Sequence, residues 1–567
     1  MIAVTATLVR DAVPRSQAIH RRVRGSRRCM PGFVASALPR LRRCRNLPTP
    51  NPGRRMGTGM NRTTRAAIGK WLLILLAVAL ALCAASLLWV DHQLGRFAGA
   101  GTAVVDRAGF EGPARPTAIT GVAVLSADGE AMLADRDVLI DQGRIVAVGT
   151  GLALPEGVDR VDGSGRYLIP GLVDAHVHLK QSPNDLLVYL ANGVTGVREM
   201  SGNADHLAWR DAIEAGRLGP RLFVASEKLE RHGWFTGHFQ RWTRNRINVR
   251  APEHADAVVR SLAADGYDAV KLGSLLDHET YRALDRAAAG AGLPLIGHYP
   301  VALPLEALWA SGQGELAHIE EIAKALDAEF GWFGNADADE YLRFVARRSD
   351  EVAAALAERN IAVVTSLWLV ESIALQKAAP ADLVAEIELR YANPGLVEGT
   401  PLSKGWLPGH NAYEVGPEAG AAGREAAAAY WATFAEAHRI LLRAMRDRGV
   451  ALMAGTDANT AGVVPGFSLH DELQSLVSAG LSPAQSLRSA TAAPAARMGR
   501  GAGKAGRVAP GYRADMVLLR ADPLLDIANT RAIEAVVVGG RVLDRGRLDA
   551  MLAAVADAND GSRTIAL

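Results

Sequence analysis

Eight short apolar runs, separated by stretches of helical periodicity, dominate the 567-residue chain between positions 172 and 457. They occupy 172–178, 193–200, 221–229, 269–273, 294–299, 315–320, 361–367 and 451–457, with Ala- and Arg-rich segments such as 252–264 and 281–290 between them. Strands that alternate with helices pair in parallel, because a crossover helix returns the chain to the same end of the sheet. Eight such units predict an α/β fold, a (β/α)8 TIM-like barrel over 171–499. A doubly wound open sheet is the alternative, but no glycine-rich phosphate loop follows the first run. Between the last two runs lies an insertion, about 370–445, where Pro394, Gly395, Trp406, Pro408 and Tyr413 suggest a loop with helices. Insertions at that end of a barrel serve as lids.

The flanks have another texture. Apolar runs at 119–125, 137–141, 144–149 and 166–170 are punctuated by Gly and Asp turns, and similar runs return at 514–519 and 535–543. This predicts a small β-sandwich built from both flanks of the barrel, residues 116–170 with 500–545.

Residues 71–90 read WLLILLAVALALCAASLLWV, 20 residues without a charge. That length spans a bilayer as a helix. Arg62, Arg65 and Lys70 precede it and Asp91 follows. The positive-inside rule then predicts a transmembrane helix with the body outside the cytoplasm, periplasmic or extracellular. Secretion after signal cleavage is the alternative, although Ala81-Leu82-Cys83 is a poor lipoprotein site. Residues 1–70 hold 16 Arg and Lys against the single acidic Asp11, so the head is expected to be basic and disordered. Translation from Met56 or Met60 would omit most of it. Residues 91–115, rich in Gly and Ala, read as a linker. The rest of the chain carries 47 basic and 59 acidic residues, a net of −12, which argues against nucleic acid as a partner. Cys29, Cys44 and Cys83 all lie in the head and span, so the body has neither a disulfide framework nor a thiolate metal site.

Barrel chemistry sits at the C-terminal ends of strands. The first run ends in His176-Val177-His178, and residues two apart on a strand share a face, so both imidazoles can reach one ion. Lys271 lies in the fourth run, His298 ends the fifth, His318 lies in the sixth and Asp457 ends the eighth. Each alone has a structural explanation: a solvated strand end, a hydrogen-bonded core histidine, a lysine reaching for solvent. Six groups from five strand ends, in barrel order, describe a metal centre. Asp174 fits either a partner that orients one histidine or a plain turn residue.

This order of HxH, Lys, His, His and Asp, on a barrel flanked by a split β domain, resembles the metal-dependent amidohydrolase superfamily. Within it the chain is most similar to the binuclear branch with a carboxylated lysine, and to prolidase-like and imidazolonepropionase-like members. The likeness covers 117–545 and includes Thr491-Ala-Ala-Pro, the run from Gly506 to Leu518, and Val538-Gly-Gly-Arg-Val. It implies two divalent metal ions, expected to be zinc, although cobalt, manganese or nickel suit the same donors. It implies that His176, His178 and Asp457 hold the first metal, His298 and His318 the second, with carboxylated Lys271 bridging. It further implies a metal-bridged hydroxide as nucleophile, with Asp457 as general base and then acid.

For substrate, Gly237-His238 in the loop after the third run is similar to a Gly-His of the prolidase-like branch, which implies a catalytic or substrate-binding role for His238. His232 is the rival, and either could instead cap the loop. Tyr299 resembles a tyrosine of that branch that binds a substrate carboxylate. Arg198 could meet a substrate anion or pair with a carboxylate of the protein. The expected activity is cleavage of a C–N amide bond in small molecules, dipeptides or N-acyl amino acids. A hydrolase of cyclic amides, lactones or esters is the alternative, and a non-catalytic membrane-tethered scaffold a remote one. The expected partners are the substrate and the membrane, and the sequence is compatible with an oligomer.

Overall fold

The computed structural model describes residues 62–112, 114–499 and 503–565. Of the head expected to be disordered over 1–70, residues 1–61, with the start sites Met56 and Met60 and with Cys29 and Cys44, lie outside the described residues, whereas 62–70 are helical and begin the helix that carries the uncharged run. The chain divides into two units, residues 1–88 and 89–567.

A single helix, Arg62–Ala98, carries the uncharged run. Its stretch Ala66–Ala98 is long and apolar enough to cross a membrane, which fits an anchor or a signal sequence. Trp71, Leu72, Leu73 and the apolar residues that follow are exposed.

In the second unit, eight strands from both flanks hydrogen-bond as one sheet. From the first flank come β1 (Thr117–Leu125), β2 (Met132–Asp141), β3 (Arg144–Gly149), β4 (Asp159–Asp162) and β5 (Tyr167–Pro170). After a long excursion come β16 (Met516–Leu519), β17 (Ile533–Val538) and β18 (Arg541–Asp544). The order is β18-β17-β16-β5-β1-β2-β3, with β4 on β1. β1 links the two halves of this sheet. Register shifts around Val122 bend it, so that its first half pairs β4 and its second half pairs β5. One sheet thereby curls over a core of Ile119, Val138, Ile140, Leu168, Met516 and Val537.

The middle of the chain supplies parallel strands. One group is β6 (Leu172–Val177), β7 (Val194–Glu199) and β8 (Arg221–Val224). The other contains β9 (Leu229–Glu230), β10 (Ile247–Asn248), β11 (Val270–Leu272), β12 (Leu295–Gly297), β13 (Gln313–Leu316), β14 (Ala362–Val364) and β15 (Leu452–Met453). Isolated parallel bridges join them at Ala225↔Ala269 and Val177↔Ala458. The result is a TIM-barrel-like domain, filled by Val173, Met200, Phe223, Ile296 and Met498 and by Ala175, Val364 and Met453. Crossover helices start and stop where their caps dictate. Helix His278–Ala291 begins at Asp277, whose carboxylate accepts from Thr280 N at 2.9 Å, and ends at Gly292 with φ +65°.

Several boundaries differ from the hydropathy pattern. The sixth strand runs over Gln313–Leu316 rather than 315–320, because Gln313 and Glu315 are buried despite their polarity. The expected linker at 91–115 is docked instead. Asn184 accepts from Val105 N at 2.9 Å and donates to Ala103 O at 2.8 Å, and buried Arg107 donates to Leu218 O at 3.0 Å. Backbone groups of a segment short of apolar residues are satisfied by side chains of the body. The insertion is helical at both ends, with Leu367–Ala378, Pro380–Glu386 and Gly420–Asp447 around an irregular stretch that buries Trp406 and Tyr413. A final helix, Arg545–Asp560, packs on helix Asp185–Ala191.

Candidate metal centre

Five strand ends deliver six side chains to one buried place. On β6 the imidazoles of His176 and His178 are 5.2 Å apart, centroid to centroid. His178 Nε2 lies 3.0 Å and His176 Nε2 3.5 Å from Oδ1 of Asp457. Donor atoms of these three residues all fall within 4.8 Å of one another, a spacing that suits a shared cation. Lys271 on β11 brings Nζ to 3.4 Å from His176 Nε2. His318 stacks on His176 at 4.4 Å, and His298, just after β12, is 5.5 Å from His318.

The backbone is bent to make this possible. Asp457 has φ +59° and Ser366 φ +47°, left-handed values that cost a non-glycine residue energy. Asp457 is held there by its N–H, which donates to His176 O at 2.8 Å. Gly297 has φ +117°, and a Cβ there would stand 2.8 Å from Lys271 Cδ and 2.7 Å from Leu272 O. Glycine at this position makes room for the lysine stem.

Outer partners fix most of the rings. His298 Nδ1 is 2.7 Å from Glu321 Oε1, and His318 Nδ1 is 2.9 Å from Ser366 Oγ, which donates to Gly455 O. Glu199 accepts from Leu179 N at 2.5 Å and Ser201 N at 2.7 Å, and its Oε1 is 3.7 Å from His178 Nδ1. Asp174 accepts from His176 N, Thr456 N and Thr456 Oγ1, so it braces the backbone between β6 and the Asp457 turn rather than orienting an imidazole. Glu199, Glu321 and Ser366 escaped sequence reasoning. Glu321 stands three residues after His318 at a helix start, a position that an acidic residue occupies for many reasons.

Electrostatics favour ligand-competent forms. Burial, and then the charge of Lys271, holds His176 well below the usual histidine range. Burial and Lys228 do the same for His298, and burial pushes His318 down to about 3. Burial, then Lys228, holds Lys271 well below the ordinary lysine range, which favours the neutral form of its amine. Burial acts to raise Asp457, but the His178 and His318 fields overcome it and keep the carboxylate ionised. Asp457 Oδ1 faces the ring nitrogens of His178 and His176, and buried His176 Nδ1 has no hydrogen-bond partner among the described residues. A carboxylate oxygen facing two imidazole nitrogens at one buried point fits a divalent cation.

The expected substrate residues lie elsewhere. Arg198 is buried in a bidentate pair with Glu315, at 3.0 and 2.8 Å, and stacks 4.5 Å over Phe223, so its guanidinium is spent inside the fold. Tyr299 is buried and its hydroxyl donates to Pro304 O at 2.6 Å. His238 is exposed on helix Trp234–Arg244, with its ring edge-on to Trp234 at 4.7 Å, and no described contact ties it to the cluster. His232 bonds Glu230 at 2.9 Å and lines a cleft of about 550 Å³ with Arg231, Arg250, Ser274 and Asp277. None of the six clustered side chains lines that cleft. Tyr413, from the insertion, is buried with an unpartnered hydroxyl within the field of Asp457.

The model of the Amidohydrolase family matches residues 167–543, about two thirds of the chain. The chain belongs to the amidohydrolase family. Among curated proteins it is similar to adenine deaminase 2 of Bradyrhizobium sp. (strain ORS 278), 41% identical over 113 residues, 18% of this chain and 19% of that protein. It is also similar to a dihydroorotase of Trichlorobacter lovleyi, 39% identical over 62 residues, 11% of this chain and 14% of that one. The amidohydrolase thus matches less than a fifth of the length of these two relatives. Among solved structures, bottromycin amidohydrolase superposes with a TM-score of 0.61 at 22% identity, covering 82% of this chain and 96% of its own. A Xaa-Pro dipeptidase with bound methionine gives 0.55 at 18% identity, covering 76% and 100%. At such identities the likeness is one of fold.

Proposed function

We propose that this amidohydrolase is a metal-dependent hydrolase that cleaves the C–N bond of an amide, in dipeptides or N-acyl amino acids. The observation that carries the proposal is the convergence of His176, His178, Lys271, His298, His318 and Asp457 on one buried cluster, with Asp457 Oδ1 facing the ring nitrogens of His176 and His178 at its centre. We take the two parallel sheets and their bridges as one closed (β/α)8 barrel, which places these groups at one rim.

His176, His178 and Asp457 would hold one divalent ion, and His298 and His318 a second; the His-rich set suits zinc. When bound, such ions supply an acidified water and polarise a carbonyl. In its neutral form the Lys271 amine can add carbon dioxide, forming a carbamate and releasing a proton, which would supply an anionic ligand. Asp457 accepts the proton of the attacking water and delivers it to the departing nitrogen, so that water and amide become acid and amine. Glu321 and Ser366 keep the His298 and His318 rings in place. The uncharged run at 71–90 serves as a retained anchor, with the catalytic body outside the cytoplasm.

The dipeptidase among the structural neighbours supports the linear amide. The dihydroorotases among the curated relatives favour a second reading, ring opening of a cyclic amide, lactone or ester at the same centre. The test is hydrolysis by the purified chain, supplied with zinc and bicarbonate, across libraries of dipeptides, N-acyl amino acids, cyclic amides and lactones. Turnover of linear amides that is lost in Asp457→Asn is expected. Turnover confined to ring substrates replaces the first reading by the second, and silence in protein holding about two metals per chain refutes both.

A further inference from the structure

Helix Trp234–Arg244 presents Trp234, Phe235, Phe239 and Trp242 to solvent, exposed by 66, 76, 49 and 41%. At about 100° per residue these side chains share, with His238, an arc of roughly 140°. The other side of the helix faces the body, where Gly237 lies so close to Asn248 that a Cβ would collide with its amide. The helix contains no acidic residue and ends in Arg241 and Arg244. Isolated exposed apolar residues are ordinary, but four large aromatics on one helix face mark a binding surface.

The position of the face indicates what covers it. Trp242 Nε1 donates to Asp91 Oδ1 at 3.4 Å. Asp91 is the first residue after the uncharged run, the point at which a spanning helix leaves the hydrocarbon. The body also holds the residues just beyond. Gln93 is buried, Arg96 is 4.0 Å from Glu398, Lys180 stands 5.1 Å over Phe97, and Gln181 N donates to Ala98 O at 2.9 Å. The Trp242–Asp91 bond thus ties the aromatic face to the residue that follows the uncharged run. Trp and Phe with flanking Arg suit the headgroup layer, where amphipathic rings lie between acyl chains and water.

We infer that the aromatic face of helix Trp234–Arg244 inserts into the interfacial layer of the membrane that the N-terminal helix crosses, giving the body a second point of lipid contact. This rests on the retained anchor proposed above.

The experiment uses the full chain with Cys29, Cys44 and Cys83 replaced by Ser, in vesicles of phosphatidylcholine and phosphatidylglycerol. A fluorophore is attached through Phe235→Cys or, as a second position, Phe239→Cys. The control is Leu525→Cys, at a site 83% exposed on the flanking domain. Quenching by a lipid-borne nitroxide at least threefold greater at 235 or 239 than at 525, with the reverse order for aqueous iodide, is expected. Equal iodide access at all three sites overturns the inference and leaves the anchor standing. Shielding from iodide without lipid quenching indicates a protein on the face and also overturns it. A mature protein lacking residues 71–90 removes the anchor and the inference together. None of these readouts depends on hydrolysis.

Discussion

Replacing Arg198 tests whether its guanidinium serves the fold or a substrate. Arg198 and Glu315 are both almost fully buried and joined by two hydrogen bonds, at 3.0 and 2.8 Å. Arg198→Met keeps most of the stacking on Phe223 but strands the Glu315 carboxylate. Breaking one side of a buried pair costs about 3–5 kcal/mol. Arg497 is near enough to share the field of Glu315, so the lower end applies, about 3 kcal/mol. The double variant Arg198→Met, Glu315→Leu removes both charges and should recover to within about 1 kcal/mol of the parent, since apolar replacement of a whole buried pair is near neutral. Denaturant unfolding of the parent, Arg198→Met, Glu315→Leu and the double variant, followed by circular dichroism, gives the coupling energy directly. The double variant should also retain the parental KM. If Arg198→Met unfolds like the parent and its KM rises tenfold or more, the guanidinium meets substrate and the structural assignment is wrong.

Two further predictions concern other buried groups. Glu321→Gln removes the charge that receives His298 Nδ1–H, and metal affinity measured by chelator competition should fall about 10–100-fold with little change in unfolding midpoint; an unchanged affinity shows that Glu321 only packs. Acid should weaken the fold through His438 and His470, which burial pushes down to about 4 and about 3. Because the unfolded imidazoles bind protons first, stability is full above about pH 6.5 and is lost as pH falls towards 4, by roughly 2 kcal/mol per histidine at pH 5. A denaturation midpoint equal at pH 7 and pH 5 contradicts this, and His438→Gln should reduce the loss between those pH values by about 2 kcal/mol.

The parts of the site that show in the sequence are those whose position follows from local pattern. His176 and His178 close an apolar run, and Lys271, His298 and Asp457 lie in or beside other runs, so strand periodicity alone brings them to one rim. His318 is placed less well, because its strand begins in polar residues that the sheet shelters. What stays hidden is set by closure of the fold. Glu321 and Ser366 meet histidines across loops, and Arg198 meets a carboxylate 117 residues away. No local pattern separates an arginine that will find Glu315 from one that will find a substrate. His238 fails for a related reason: the segment after β9 is helical, and the helix turns that ring outward beside Trp234. The docked stretch at 91–112 looks like a linker because its partners, Asn184 and Leu218, are remote.

The pairing of β5 with β16 sets an order of events for a chain made from one end. Tyr167 meets Leu519 and Pro170 meets Met516, partners 346 to 352 residues apart. When β1 and β5 have emerged, the edge of β5 with Leu168 and Ile169 has no strand to cover it, and the whole barrel must follow before β16 arrives. Such an edge is a template for pairing with other chains. Closing so long a loop is slow. The flanking sheet is therefore the last piece to be completed and the first to be missing from any truncated product. A stop codon after residue 500, although it spares all six clustered side chains, would leave a sticky half-sheet rather than a smaller enzyme.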